Sequence, residues 1–358
     1  MRPADFLIDA APKLVFAFWL GVAVLILAAL MLTVILVMRK LMTRRERNHQ
    51  RAAAAWHTVL AAADAGAPVK VPSLPRRDVT GFLEVWNELH AAHPGDRGDG
   101  LLRVAAEVGL DRHLLHLLEH GGFHTQVVAI IALGHLRNRD HFALVARFID
   151  DKSPIVSLCA ARALMQMDPS SAVSMFVPQI VSRDDWSEGR IAAILHETST
   201  PAVSKELSLA TLRANADVAP RLVRFLAAVS PEEAAPVIRS ILATPADDHL
   251  ISTCLQVMSH TADLDSVRPL LKHPRWHVRM HAAAAIGRLG IPGDEKLLVD
   301  MLSDEQWWVR YRTAQGLLNL LLLDESRVRS IRDAHPDRFA RDILDHVLAE
   351  RAIRGAHA

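Results

Sequence analysis

The sequence predicts an all-α chain: a right-handed α-solenoid of about seven to eight helical pairs, preceded by one transmembrane helix. Three observations carry this expectation. A hydrophobic core position recurs at a spacing of 29 or 31 residues, an unbroken apolar run lies near the N-terminus, and the apolar content is mostly Ala, Leu and Val. Of 358 residues, 51% are hydrophobic but only 5% aromatic, with Tyr311 the single tyrosine. That mixture suits close-packed helices better than a β-sandwich, which needs β-branched and aromatic residues. At 23% charged, the chain is not disordered as a whole. Two cysteines, Cys159 and Cys254, supply neither a disulfide framework nor a cysteine-based zinc site. Both are expected as small buried hydrophobes.

The first element follows a short tail, 1–13. Residues 14–38 carry no charge. A helix over them would be roughly 37 Å long, enough to cross a hydrocarbon core of about 30 Å. A cleaved signal peptide would need a shorter apolar run and a small-residue cleavage site. Here the run is followed by Arg39, Lys40, Arg44, Arg45, Arg47 and Arg51, opposed only by Glu46. The positive-inside rule then puts the C-terminal bulk, Ala358 included, in the cytoplasm, anchored at the inner (plasma) membrane. The same cluster could contact anionic lipid. Residues 52–358 hold 33 basic and 37 acidic residues, so a nucleic-acid partner is not expected.

No Gly or Pro interrupts the chain between Gly21 and Gly66, so the helix is expected to continue to about Ala63. Gly66, Pro68, Pro72 and Pro75 then break it. Residues 39–77 thus comprise a basic juxtamembrane helix and a Pro-rich linker. Residues 78–358 are expected to form the folded body.

That body repeats. Its core position is Leu133, Leu164, Leu195, Leu226, Leu255, Ile286 and Leu317, with Leu102 as a weaker unit one step back. Three residues before and after, the side chains are again mostly apolar or small, which is one face of a helix. Second, shorter amphipathic stretches lie between, among them 141–151, 172–183, 232–242, 265–272 and 294–304. A helix–turn–helix unit of this size cannot bury its apolar face alone, whereas stacked units can. Residues 78–92 and 336–353 are expected as terminal capping helices.

The clearest units are HPRWHVRMHAAAAIGRLG (273–290) and SDEQWWVRYRTAQGLLNL (303–320). With their turn Pro or Asp, Val-Arg pair and Ala-rich core, they resemble the HEAT-repeat family. The likeness is to its short-repeat type, also seen in phycobilin-lyase-like proteins, and it covers about 102–323. Middle units depart, with Ser157, Glu188, Ala219 and Asp248 at the arginine position. The resemblance implies a non-enzymatic scaffold or adaptor that binds a membrane-associated protein. In a bacterial envelope the client could be a glycosyltransferase of polysaccharide assembly. The alternative is a HEAT-fold enzyme or cofactor carrier, bilin-lyase-like or DNA-glycosylase-like. There is no Gly-rich phosphate loop, no G-x-S-x-G and no calcium loop, so neither catalysis nor a cofactor is expected.

Two side-chain sets invite function. His113, His116 and His120 share one helical face within about 60° and could bind Zn²⁺ or Ni²⁺, although a solvated stripe is the commoner outcome. His277 and His281 have i, i+4 spacing without the glutamate of a zinc motif. The second set is Arg275, Trp276, His277, Arg279, Trp308, Tyr311 and Arg312, a candidate protein-binding surface of hot-spot residue types. Arg279 and Arg312 are expected to be exposed in it. The competing reading has each Val-Arg arginine, Arg279 and Arg310, bond a turn aspartate such as Asp304, with Trp276 and Trp307 filling the gap between repeats.

Overall fold

The computed structural model describes residues 3–92, 99–320 and 325–356. Ala358, the side chains of Arg45 and Glu46, and positions 321–323 of the repeat stretch lie outside them. The described residues are helical, with no strand among them. Two compact units divide the chain, Met1–Leu136 and Arg137–Ala358.

The first unit contains α1 (Pro3–Asp64), α2 (Val79–Ala92), α3 (Asp99–Glu107), α4 (Leu110–His120) and α5 (Phe123–Leu136). Within α1, Trp19–Arg44 is long and apolar enough to cross a membrane, and none of its apolar stretch is buried. The same helix then changes character. Ala52, Trp56, Leu60 and Ala63 fall on one face at i, i+4 or i, i+3 spacing and are buried. Trp56 stands edge-on to Phe82 of α2, ring centroids 4.9 Å apart. The start of α3 lies so close that a Cβ on Gly100 would meet the Ala63 carbonyl oxygen at 1.9 Å. The folded body therefore begins inside α1 rather than at Asp78. Leu74 in the Pro-rich stretch is buried, so the stretch is no free spacer. The weak unit at Leu102 also fails: Leu102 is 38% exposed, and Leu101 faces the core instead.

The second unit contains α6 (Phe142–Ala146), α7 (Pro154–Met167), α8 (Pro169–Ser182), α9 (Glu188–Glu197), α10 (Pro201–Arg213), α11 (Ala219–Val229) and α12 (Pro231–Leu242). It continues with α13 (Asp248–Val257), α14 (Leu264–Val267), α15 (Trp276–Leu289), α16 (Glu295–Met301), α17 (Trp307–Leu320), α18 (Glu325–Ala334) and α19 (Arg338–Ala356). Odd-numbered helices from α5 on carry the repeat core. Leu133, Leu164, Leu195, Leu226, Leu255, Ile286 and Leu317 are all buried, so the α-solenoid register holds at each of them. Cys254 is buried, whereas Cys159 is only half-buried.

The core helices of the second unit differ in where they start relative to one repeat position. In α15, α17 and α19 the helix starts three residues before an arginine: Arg279, Arg310 and Arg341. Each donates from Nη1 to the two carbonyls five and six residues back: His273 and Pro274, Asp304 and Glu305, His335 and Pro336. The arginine staples the preceding turn to the first helical turn and satisfies carbonyls that would otherwise face only water. In α7 a shorter version serves: the Ser157 hydroxyl donates to the Ser153 carbonyl. In α9, α11 and α13 the equivalent residue is Glu188, Ala219 or Asp248, and the helix begins only there. The middle units thus lose a helical turn with the staple. Arg341 stands 31 residues beyond Arg310, so the last helix continues the repeat register.

Candidate protein-binding surface

The turns before α15, α17 and α19 are built alike. Nδ1 of His273, Oδ1 of Asp304 and Nδ1 of His335 each accept the backbone N–H two residues on. These turns fix the entry angle of the three helices, so side chains of their first turns line up at 31-residue intervals.

Arg279 belongs to this framework and not to the surface. It is 9% exposed, and its Nε and Nη2 donate to Asp304 at 2.7 and 3.0 Å in a bidentate pair. The Asp304 contact raises the guanidinium above its usual value. The expectation that Arg279 is exposed is corrected: the turn carbonyls, Asp304 and Glu305 hold its guanidinium inward. Arg310 is likewise turned into its turn, and its Cζ lies 5.6 Å from the Phe339 ring centroid.

The tryptophans do the opposite of gap-filling. Trp276, Trp307 and Trp308 are 40, 43 and 54% exposed. Phe339, which occupies the register of Trp308, is 64% exposed. Trp307 stacks on Tyr311 at 5.0 Å and meets Trp308 edge-on at 4.7 Å. The Tyr311 hydroxyl donates to Glu350 Oε2 at 3.0 Å, which fixes the stack from α19. Burial, then Glu350, raises the Tyr311 phenol above its usual value. The result is a held aromatic row across the first turns of α15, α17 and α19.

Around the row the exposed cations are Arg275, Arg312 and Arg338. Arg275 leans on Asp248 at 3.3 Å and Arg338 on Asp342 at 3.7 Å. Arg312 donates to Gln315 at 3.1 Å and has no carboxylate within ion-pair distance among the described residues. His277 packs edge-on to Trp276. His281 bonds Gln256 at 3.1 Å, and burial, then Arg312, lowers its imidazole below the usual value. Sequence reasoning missed Phe339, although one further 31-residue step from Trp308 reaches it.

In the first unit, His116 and His120 stack at 4.8 Å on the exposed side of α4, while Leu110, Leu114 and Leu118 face inward. Burial, Arg76 and His116 lower the His113 imidazole below its usual value. Among the described residues no group of three His, Cys, Asp or Glu side chains is placed to hold a metal ion.

Comparison with known proteins gives the following. Residues 112–196 and 250–318 match the HEAT repeats family. No curated protein matches the chain. Among solved structures it is similar to Kap121p, with 11% identity and a TM-score of 0.45, covering 82% of this chain and 37% of that one. It is also similar to a designed armadillo repeat protein, with 16% identity and a TM-score of 0.20, covering 67% of this chain and 94% of that one. The chain thus spans well under half the length of Kap121p.

Proposed function

We propose that this HEAT-repeat protein is a membrane-tethered, non-enzymatic scaffold that docks another protein on the aromatic row of α15, α17 and α19. The carrying observation is that Trp276, Trp307, Trp308 and Phe339 stay exposed in register while their supporting arginines are internally paired. Large aromatics held rigid at a surface desolvate at small entropic cost and are the residue types of hot spots. A folded domain gains nothing in stability from leaving them in water. Arg275, Arg312 and Arg338 rim the row, so the partner segment is apolar with flanking carboxylates.

Tethering rests on α1. A helix that runs unbroken from an apolar stretch into the core of the first unit supports a retained anchor over a removed leader. The basic residues after Arg39 support a cytoplasmic body. Confinement of both partners to one membrane then raises their effective concentration without new contacts. The envelope glycosyltransferase that the family resemblance suggests is one client of this description.

The test is affinity purification of the full chain in mild detergent followed by mass spectrometry. Trp276→Ala with Trp308→Ala should abolish recovery of the partner while helical content and melting temperature stay at wild-type values. Retention of the partner by this double variant would place the docking surface elsewhere.

A further inference from the structure

Two glycines explain why one inter-helix groove in the second unit is closed, and their replacements explain why the next is open. A Cβ on Gly287 of α15 would lie 2.1 Å from the Gly316 Cα of α17, so these helices touch backbone to backbone. One repeat on, the same register positions are Leu318 and Val347. Both side chains are buried between α17 and α19, where no such backbone contact is possible. A cavity of 620 Å³ opens beside them.

Its walls are basic. Arg312, Gln315 and Asn319 come from α17 at i, i+3 and i+7, one helical face. Arg351 and Arg354 come from the facing side of α19. Among the described residues the lining has three guanidiniums, two carboxamides and no carboxylate. The carboxylates that steady two of these arginines sit outside it: Glu350 lies 3.3 Å from Arg354 and Glu325 lies 3.6 Å from Arg351. Arg351 also donates to the Leu318 carbonyl at 3.4 Å. Arg312 meets no carboxylate among the described residues and brings a full positive charge to the cavity.

We propose that this cavity binds a small organic diphosphate. Planar guanidinium forks from two helices match the paired oxygens of phosphate groups, and their charge does not vary with pH. The carboxamides supply further donors, and Leu318 and Val347 form an apolar floor for the rest of the ligand. The volume is that of a small-molecule site. The ligand can be a soluble nucleoside diphosphate or a lipid-linked diphosphate, which share the recognised group. The site shares Arg312 with the rim of the aromatic row, but its other residues lie outside that row and its test needs no protein partner.

The full chain in zwitterionic detergent is titrated with inorganic pyrophosphate by calorimetry. Wild type should bind, and Arg312→Gln with Arg354→Gln should weaken binding by about tenfold or more. Asn319→Phe, which fills the cavity and removes no charge, should also weaken it and covers the case in which the double variant misfolds. Trp308→Ala, on the aromatic row, should bind pyrophosphate like wild type even if it loses the protein partner. Titrations with a nucleoside diphosphate and a short-chain prenyl diphosphate then identify the source by which binds more tightly. Absence of pyrophosphate binding at millimolar concentration, or wild-type affinity in both the double variant and Asn319→Phe, would overturn the proposal.

Discussion

Two arginines that look alike in the sequence, Arg279 and Arg312, have opposite roles. Arg279 neutralises Asp304, whose side chain is almost wholly buried. Arg279→Met should therefore cost about 3 kcal/mol, most of it from the carboxylate left unpaired. Arg312→Glu, at an exposed position without an ion pair, should change stability by less than about 0.5 kcal/mol. Urea denaturation of the full chain in detergent measures both. Asp294 offers a pH test. Arg268 donates to it at 2.8 Å, and this bond, with the Ile291 N–H, holds its carboxyl below the usual carboxylate range. A depressed folded-state pKa means that the stabilisation is present above the unfolded value of about 4 and is lost as pH falls through the folded value. Asp294→Asn should accordingly be less stable than wild type at neutral pH, and the gap between urea midpoints should shrink on acidification. A gap independent of pH would show that the pair contributes packing rather than charge.

Among the helices, α15 and α17 meet backbone to backbone and leave no room for added volume. Gly287→Ala places a methyl group inside the Gly316 backbone, and neither helix can yield without shifting its own core. It should destabilise by at least about 2 kcal/mol, whereas Gly293→Ala, whose Cβ meets only the Ile291 Cδ1 at 4.0 Å, should be nearly neutral. Leu226, in an atypical middle unit that lacks the arginine staple, is fully buried. Leu226→Ala should cost about 2–5 kcal/mol, the same as a core leucine of a well-formed unit. A loss below about 1 kcal/mol would mean that α11 is held loosely despite its register.

On the scale of the whole chain, α1 changes character along its length. Its apolar stretch is long and apolar enough to cross a membrane, and its last turns are buried in the first unit. Trp56→Ala should lower the melting temperature of that unit without releasing the protein from membranes, because Trp56 packs on Phe82 and lies beyond the span. Carbonate extraction and thermal melting of the same variant separate these effects. Orientation is checked by C-terminal fusions: a fluorescent protein should be bright and alkaline phosphatase inactive, and the reverse pair would place the body outside.

The sequence by itself determined the helical class, the apolar stretch and the repeat register. These are written in periodicity, which depends on local geometry: the same helical face recurs at a fixed chain distance whatever it packs against. It also carried the 31-residue recurrence of Arg279, Arg310 and Arg341, which the structure turns into a staple. Only the tertiary structure decided which side of each first turn meets water. Arg279 and Trp276 are three residues apart on one helix, and sequence pattern assigns both to the same surface. The Asp304 carboxylate, brought in from the next repeat, pulls the arginine inward and leaves the tryptophan exposed. The α17–α19 cavity was equally illegible, because it follows from the volumes of Leu318 and Val347 where the preceding pair has glycine. The place where the folded body begins was also hidden. Ala-rich sequence after the basic cluster supports a helix in water or in a core alike, and only contact with α2 and α3 selects the core.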